Sequence, residues 1–365
     1  MGTAACDLVL LGWNQLECTR PCVESILAHT QVPARLIIVD QASEEETVSY
    51  LKSLRSTPAV EIEILWNPKN VGYPKGMNLG LTKAAAPYVC FLNNDILVPP
   101  GWLEELIAVA ESDPSIGLVN PSSNTFNLYP PKGTGWLEFA KDLSKKRGQW
   151  TEVSYGEGFC LLGRREVLVK VGGFDDTTYD QIYFEDADLS RKIHALGLKS
   201  VMAEGTYVWH EGGRTTSQRP ERARFFQENE HRFLAKWGAK SQRILYAVES
   251  GVVEALTQIS EQARLEANRF GQIWIFTDSS PATKNLPRHA DIRVWRFPRW
   301  QIPWAVLWMA LFKKKKFERI VTDSNWVRRA LNWFRFLHRA SVESLPPRET
   351  RGFPSSGRGG MLGEM

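Results

Sequence analysis

The stretch Tyr88–Asp95 reads YVCFLNND. It begins with five residues suited to a buried strand and ends abruptly in three polar residues. A short apolar run bounded in this way is typical of a strand in a parallel sheet. Because ligands of open α/β sheets bind beyond the carboxyl ends of the strands, Asn93–Asp95 are the first candidates for a functional site.

Similar apolar runs precede this stretch and alternate with helix-like segments. The predicted strands are Leu8–Leu11, Leu36–Val39 and Ile62–Trp66, and the predicted helices are Pro21–Ala28, Glu44–Arg55 and Gly76–Ala85. This alternation predicts an α/β fold with a doubly wound, mainly parallel, Rossmann-like sheet.

The segment Ser122–Gly148 is rich in Gly, Pro, Asn and Lys, and it predicts a loop or lid. Alternation resumes after it. The predicted strands there are Phe159–Leu162, Val201–Ala203 and Tyr207–Trp209, and the predicted helices are Arg165–Val171, Ala187–Leu196 and Arg219–Trp237.

Composition divides the chain into unlike parts. Its 365 residues are 43% apolar and 24% charged, which excludes wholesale disorder and a collagen-like fold. Residues 1–240 hold 25 basic and 30 acidic residues, whereas residues 241–365 hold 20 basic and 11 acidic residues and 7 of the 14 Trp. We therefore predict a first domain over 1–240, a smaller basic, Trp-rich α/β module over 241–345, and a disordered tail over 346–365.

Within that module, strand-like and helix-like segments continue. They are the strands Gln272–Thr277, Ile292–Trp295 and Arg319–Thr322 and the helix Asn325–Arg339.

Several features predict a cytoplasmic protein. The five cysteines contain no CxxC pair and no metal-ligand cluster, which favours a reducing compartment. The start Met1–Trp13 lacks the basic region of a signal peptide. The longest apolar stretch, Ile302–Phe312, is too short to span a bilayer.

Two candidate binding features lie in the first third of the chain. Asp40 ends a predicted strand, where it would either hydrogen-bond a ribose or base or cap the next helix; both interpretations are open. Asn70–Gly80 reads NVGYPKGMNLG, and its glycines and Lys75 suit a phosphate site, although Gly-Tyr-Pro is also an ordinary turn.

Acidic and histidine residues supply further candidates. A carboxylate and amide oxygens at Asn93–Asp95 suit Mg²⁺ or Mn²⁺ bridged to a diphosphate, although a polar turn alone explains the segment. Glu185, Asp186 and Asp188 begin a predicted helix, where acids also complement the helix dipole. His210 follows a short strand in a Gly-rich context that is typical of a ligand site.

Taken together, in this order and spacing, these segments resemble the family 2 glycosyltransferases, which are inverting enzymes with a GT-A fold. The likeness is greatest to the bacterial branch that acts on O-antigen, capsule and other surface polysaccharides, and it runs from about Leu8 to Trp237. The segments that carry it are Val39–Ser43 (VDQAS), Asn70–Leu81, Tyr88–Leu106, Gly158–Asp176, Phe184–Gly197 and His210–Thr215.

The resemblance implies that a divalent cation, Mg²⁺ or Mn²⁺, assists sugar transfer with inversion. The donor would be a UDP- or dTDP-sugar and the acceptor a glycan or a lipid-linked molecule, with no nucleic-acid partner. Asp186 would be the general base, Asp95 and His210 would contact the metal, and Glu185 and Asp188 would lie on the acceptor side. The implied donor-binding residues are Asp40, Ser43, Asn70, Gly72, Lys75, Asn78 and Asn94.

The chain departs from the family pattern at two positions. Asn93 stands where the metal motif often begins with Asp, which leaves the metal affinity open. Gln41 replaces a frequent Asn after Asp40, which leaves recognition of the base open.

Two other functions compete with sugar transfer. A nucleotidyltransferase usually carries a Gly-rich signature after its first strand, where this chain has Gly12–Gln15 (GWNQ). A non-catalytic sugar-nucleotide-binding module is the other alternative, and the joint presence of Asp95, Asp186 and His210 argues against it.

Within the second module, residues 272–339 weakly resemble part of a GT-B glycosyltransferase, which predicts a partial GT-B-like domain. Four of its Trp residues precede or lie within an apolar run that ends in Lys313–Lys316. One interpretation is peripheral contact with the inner face of the plasma membrane. The alternative, which Pro303 favours because it should interrupt a helix, is that these aromatics form the core of the module. The four are Trp295, Trp300, Trp304 and Trp308.

Overall fold

A computed structural model describes residues 4–179, 181–212, 221–238, 242–248, 253–278, 286–313 and 316–345. The chain divides into two compact units. The first comprises residues 1–242, 257–273 and 284–293, and the second comprises residues 243–256, 274–283 and 294–365. The predicted domain boundary at residue 240 stays a prediction. The predicted disordered tail, 346–365, lies outside the described residues.

An eight-stranded sheet forms the centre of the first unit, with the strand order β3-β2-β1-β4-β8-β6-β9-β7. The pairs among β3, β2, β1 and β4 are parallel, as is β6 with β9, whereas β8 and β7 pair antiparallel with their neighbours. The α/β fold with a mainly parallel sheet is therefore confirmed. The strands are β1 (Cys6–Gly12), β2 (Ala34–Gln41), β3 (Val60–Asn67), β4 (Tyr88–Asn93), β5 (Ile96–Leu97), β6 (Ile116–Ser122), β7 (Trp150–Val153), β8 (Cys160–Arg164), β9 (Lys199–Tyr207) and β10 (Trp209–His210).

The register of the central strands positions the candidate residues. Gly12 at the end of β1 lies beside Asp40 of β2, and Leu11 lies beside Asn93 of β4. Three carboxyl ends therefore meet at one edge of the sheet, which is where ligands of this fold class bind.

Helices cover both faces of this sheet. Residues Leu8 and Leu10 contribute to one apolar core and Val9 to a second, as the alternation of side chains along a strand requires. The helices are α1 (Leu16–His29), α2 (Glu45–Ser53), α3 (Tyr73–Lys83), α4 (Trp102–Ser112), α5 (Trp136–Leu143), α6 (Arg165–Lys170), α7 (Glu185–Ala195) and α8 (Arg222–Trp237).

Two glycines bring α3 close to β1. A Cβ atom added at Gly76 would lie 2.4 Å from Leu11 Cδ1, and one at Gly80 would lie 2.2 Å from Val9 Cγ1. Positions 76 and 80 are one helical turn apart and share a face. These two glycines of the NVGYPKGMNLG segment therefore serve helix–strand packing.

Some predicted elements differ from the structure. The expected loop Ser122–Gly148 contains α5, whose buried Ala140 and Leu143 pack with Tyr207. Helix α1 begins at Leu16 and not at Pro21. Pro21 removes one backbone hydrogen bond from this helix, and burial of Cys18 and Cys22 offsets that loss. The two expected strands around residues 201–209 are mostly one strand, β9.

The second unit is built on a five-stranded sheet with the order β13-β12-β11-β14-β15, in which β11, β14 and β15 are parallel neighbours. The smaller α/β module is therefore confirmed. Its strands are β11 (Arg243–Val248), β12 (Gln272–Thr277), β13 (Ile292–Arg296), β14 (Arg319–Thr322) and β15 (Ser341–Ser344), and the helices of this part of the chain are α9 (Val253–Ala267), α10 (Ile302–Phe312), α11 (Asn325–Trp333) and α12 (Arg335–His338).

Proline 303 was expected to interrupt a helix, and the structure corrects this expectation. Pro303 lies in the first turn of α10, where its missing N–H has no intrahelical partner to lose. The expected single helix Asn325–Arg339 is divided near Phe334 into α11 and α12. Among the described helices, none has the length and apolarity needed to cross a membrane.

Candidate active site

One part of the site lies where β1 and β2 end. Asp40 is buried, and its Oδ2 accepts a hydrogen bond from the backbone N–H of Ser43 at 3.2 Å. Its Oδ1 is also buried and has no hydrogen-bond partner among the described residues. Because a buried carboxylate oxygen without a partner is costly, Asp40 is suited to accept a hydrogen bond from a ligand.

A network of hydrogen bonds fixes the turn after Asp40. Ser43 Oγ accepts from the backbone N–H of Asn14 at 2.8 Å, and Asn14 Oδ1 accepts from the backbone N–H of Glu44 at 2.7 Å. Ser43 is therefore part of the frame that holds Asp40 at the end of its strand.

The loop before α3 is tied to the same edge. Gln41 Oε1 accepts from the backbone N–H of Val71 at 2.8 Å, and Asn70 Oδ1 accepts from the backbone N–H of Gly72 at 2.9 Å. Gly72 has φ 87°, a conformation that favours glycine, and this lets the chain turn into α3. Lys75 is exposed in the first turn of that helix.

The polar residues after β4 separate into two roles. Asn94 is buried, and its Nδ2 donates to Thr19 Oγ1 on α1 at 2.9 Å, so its side chain fixes the turn. Asp95 is also buried, and its Oδ1 lies 3.1 Å from His210 Nε2. The backbone pairing of β5 with β10 brings these two residues together across 115 positions of sequence.

Further contacts orient the His210 ring. Its Nδ1 lies 2.9 Å from Thr125 Oγ1, and its plane stacks on Phe159 with the ring centroids 5.1 Å apart. Asn124 holds the backbone of His210 by accepting from its N–H at 3.0 Å and donating to its carbonyl at 2.7 Å. The imidazole is therefore fixed with Nε2 toward Asp95.

Asp95 and His210 suit a divalent cation that is shared with a ligand. Among the described residues, no three His, Cys, Asp or Glu side chains form a complete metal site. Mg²⁺ in phosphate-handling enzymes usually takes one or two carboxylates from the protein and its other ligands from phosphate and water. One carboxylate and one imidazole are consistent with that arrangement.

Asp186 lies in a cleft of about 450 Å³ that Asn93 and His210 also line. Its Oδ2 accepts from the backbone N–H of Gly158 at 3.1 Å, and its Oδ1 accepts from the backbone N–H of Ala187 at 2.7 Å. The structure thus brings the predicted base and one predicted metal residue to the same cleft.

Three carboxyl groups line this cleft, and their surroundings decide which one is ionised. Burial, and next the charge of Asp186, raise the pKa of Glu157 to about 7. The same causes raise the pKa of Glu185 well above its usual range. Burial also raises the pKa of Asp186, but the N–H groups of Gly158 and Ala187 oppose this rise. The negative charge is therefore best stabilised on Asp186.

The backbone before Asp186 is in an uncommon conformation. Tyr183 and Phe184 have φ angles of 77° and 71°, and Phe184 precedes the first residue of α7. Two successive bulky residues in the left-handed region cost roughly 1–3 kcal/mol each. Asn229 of α8 holds the segment by donating from Nδ2 to the carbonyls of Ile182 and Tyr183 at 2.8 and 3.2 Å.

Two other predicted site residues, Asp188 and Asn78, bond to the structure around the site. Asp188 is fully buried, and its Oδ1 lies 2.7 Å from Lys236 Nζ and accepts from Trp237 Nε1 at 2.8 Å. Asn78 Nδ2 donates to the Phe174 carbonyl at 2.9 Å, and Asn78 Oδ1 accepts from the Phe174 N–H at 3.0 Å. Both side chains stabilise the surrounding structure.

Two residues that line the cleft and two that hold His210 were not predicted from the sequence. Glu157 and Tyr155 are joined by a hydrogen bond of 3.1 Å from the tyrosine hydroxyl, and both line the cleft. Asn124 and Thr125, which hold His210, lie two and three positions after the end of β6. Polar residues at the carboxyl end of a strand were the signal that could have identified this second pair.

Comparison with known proteins gives a family for this region. Residues 10–172 match the model of glycosyl transferase family 2. Over 233 residues, the chain is 28% identical to the O-antigen biosynthesis protein RfbC of Myxococcus xanthus, and the match covers 57% of this chain but 17% of that protein. It is 24% identical over 236 residues to the N-acetylglucosaminyl-diphospho-decaprenol L-rhamnosyltransferase of Mycobacterium tuberculosis, covering 55% of this chain and 75% of that protein.

One similar solved structure is that of GalNAc-T7 with UDP, GalNAc and Mn²⁺, which matches this chain with a TM-score of 0.48 at 18% identity. That match covers 65% of this chain and 48% of the other. The family assignment depends on the sequence match, whose segment includes Asp40, Asp95 and the Gly158 that binds Asp186. The chain therefore carries a glycosyl transferase family 2 domain over residues 10–172.

Proposed function

We propose that the first unit transfers a sugar, with inversion, from a nucleoside-diphosphate sugar to an acceptor hydroxyl. The observation that supports this most strongly is the cleft in which the Asp186 carboxylate is held by two backbone N–H groups, with His210 in the same wall. We further propose a UDP- or dTDP-sugar as donor and a glycan or lipid-linked acceptor. The route would be synthesis of a cell-surface polysaccharide or glycoconjugate.

Asp186 would act as the general base. The acceptor hydroxyl gives its proton to the carboxylate while its oxygen bonds to the anomeric carbon. The bond from that carbon to the diphosphate oxygen breaks, so the nucleoside diphosphate leaves with the electron pair. A pKa raised by burial makes Asp186 a better proton acceptor than an exposed aspartate.

The remaining polar residues would bind the donor. The unpartnered Asp40 Oδ1 accepts a hydrogen bond from the nucleoside, and Ser43 and Asn70 hold the loops around it. Asp95 and His210 would hold Mn²⁺ or Mg²⁺ next to the diphosphate. When bound, such a cation neutralises charge that develops on the leaving diphosphate.

A cytoplasmic location is part of the proposal. All five cysteines are buried and free, which is consistent with a reducing compartment. Nucleoside-diphosphate release from a panel of sugar nucleotides, with Mn²⁺ or Mg²⁺ and a polyprenyl-linked or glycan acceptor, tests the activity. Binding without turnover would indicate a non-catalytic module. In a parallel assay, release of pyrophosphate from a nucleoside triphosphate and a sugar 1-phosphate would indicate a nucleotidyltransferase.

A further inference from the structure

We infer that the second unit docks on an anionic lipid bilayer through an exposed aromatic face. This aromatic face consists of six side chains from α10, α11 and the turn before α10: Trp300, Trp304, Trp308, Phe312, Trp326 and Trp333. The inference goes beyond glycosyl transfer, and it can be tested without any sugar nucleotide.

Helix α10 is apolar on both of its faces. Ile302, Val306 and Met309 are buried in the core of the second unit. Trp304, Trp308 and Phe312, spaced four residues apart, are 63%, 61% and 72% exposed. A helix that is apolar all round is normally buried all round, yet these three side chains stay mostly exposed.

The exposed surface continues onto α11. The Trp304 and Trp326 rings pack edge to face with their centroids 5.8 Å apart. Trp333 lies two turns after Trp326, on the same face of α11, and is 81% exposed. At about 200 Å² for each aromatic side chain, the six residues expose roughly 800 Å². The largest apolar patch of a typical monomer is about 300–600 Å², and larger ones mark interaction sites.

The chemistry of the neighbouring groove disfavours a glycan. A groove of about 440 Å³ runs along Trp300, Trp304 and Trp308, and Gln301 is the sole polar residue among those that line it. A sugar would need several hydrogen-bonding groups to replace its hydration. Lipid chains and the headgroup boundary need none.

Charge favours an anionic surface and disfavours a second copy of the chain. Segments 294–313 and 325–339, which carry the aromatic face, contain seven Arg or Lys residues and no Asp or Glu. Two copies that met through this face would bring like charges together. Trp residues interspersed with cations are instead typical of the interface of a membrane with anionic lipids.

The test uses the full chain and vesicles of phosphatidylcholine with and without phosphatidylglycerol. We expect co-sedimentation with the anionic vesicles, weaker binding as salt rises, and a blue shift of Trp fluorescence. The double substitution Trp304→Ser and Trp308→Ser should weaken binding at least about tenfold, since burial of apolar area drives interfacial binding. Arg296→Gln with Arg299→Gln should weaken binding and reduce its salt dependence.

A matched control is Trp66→Ser in the first unit, where Trp66 is 46% exposed. It should leave vesicle binding unchanged, and circular dichroism should show each variant folded. Absence of binding at low salt, or equal binding by the Trp304→Ser/Trp308→Ser variant, would overturn the inference. So would a dimer in light scattering that the same substitutions convert to a monomer. Because no donor or acceptor is present, failure here is separate from failure of the proposed transferase activity.

Discussion

Asp95 and His210 lie 3.1 Å apart, Oδ1 to Nε2, although 115 residues separate them in sequence. The contact depends on the short β5–β10 pairing, which places His210 opposite Ile96. It joins the end of the central sheet to the wall of the cleft that holds Asp186. A donor bound at the sheet edge and an acceptor bound in the cleft would therefore meet at His210.

Asp186→Asn should lower turnover at least about a hundredfold, since an amide cannot take the acceptor proton. Nucleotide affinity should change little. The melting temperature should fall slightly, because the amide oxygen replaces one acceptor while the other backbone N–H group loses its own. Steady-state kinetics with calorimetric donor titration would measure this. Near-normal turnover would contradict the assignment of the base.

Asp188→Asn provides a contrasting prediction two residues away. Its carboxylate is fully buried against Lys236 and Lys192, so the amide removes the charge that both cations share. Lys236 keeps its ion pair with Asp175, and Lys192 keeps its hydrogen bond to the Gly173 carbonyl. Losing a hydrogen bond to a charged group costs about 1.5–3 kcal/mol, and the free energy of unfolding should fall accordingly. Denaturant titration measures this loss. If stability is kept while acceptor KM rises, Asp188 belongs to the acceptor site after all.

Asp95→Ala should weaken metal-dependent nucleotide binding, and a chelator should abolish turnover until Mn²⁺ or Mg²⁺ is restored. His210→Ala should act in the same direction. Asp142→Ala, at an exposed ion pair with Lys145, is a suitable control because it lies on a surface helix. Full turnover in the chelator would show that the reaction proceeds without a divalent cation.

Glu157→Gln should change how stability depends on pH. The folded pKa of Glu157, about 7, lies above its ordinary value of 4.5, so the folded state holds the proton more tightly. This contribution is fully present below about pH 4.5 and is lost as pH rises through 7. Between pH 5 and pH 8, the free energy of unfolding should therefore fall by about 1–3 kcal/mol less in the variant than in the parent. Denaturation at both pH values measures it, and Glu46→Gln, an exposed acid, should behave like the parent.

Gly80→Ala should destabilise the first unit by about 1–3 kcal/mol, because the added methyl group overlaps Val9. Gly135→Ala is the matched control, since nothing lies within 4 Å of its added Cβ and its φ is negative. Thermal unfolding of both variants distinguishes packing from the general effect of removing a glycine. Equal melting temperatures would show that α3 can move away from β1 at little cost.

The sheet could be predicted because its central strands are continuous apolar runs buried on both faces. The run Val89–Leu92 illustrates this, since every residue in it is fully buried. Helix α5 could not be predicted in the same way, because the Gly- and Lys-rich composition around it concealed a short amphipathic pattern. Pro303 was misjudged for a related reason: the cost of a proline depends on its position within a helix, and the start of α10 was not evident.

The candidate site was only partly accessible to sequence reasoning. Motifs at strand ends identified Asp40 and Asp95, and an acid cluster at a helix start identified Asp186. Their placement in the structure supports roles that remain proposals. Glu157 could not be found because its raised pKa arises from burial in the cleft and from the charge of Asp186, 29 positions away. Asn78 and Asp188 fall in family-like motifs, yet their side chains bond to the surrounding frame.

In the proposed reaction, the strained turn at Tyr183 and Phe184 would give helix α8 an indirect influence over the rate. Asn229 and Arg222 hold this turn by hydrogen bonds. The turn leads directly into α7, which carries Asp186, and so orients its carboxylate. Substitutions at Arg222 or Asn229, which do not line the cleft, would relax the backbone and shift the carboxylate. Variation in α8 would therefore be a route by which related chains change the rate of the proposed reaction while keeping the same donor and acceptor.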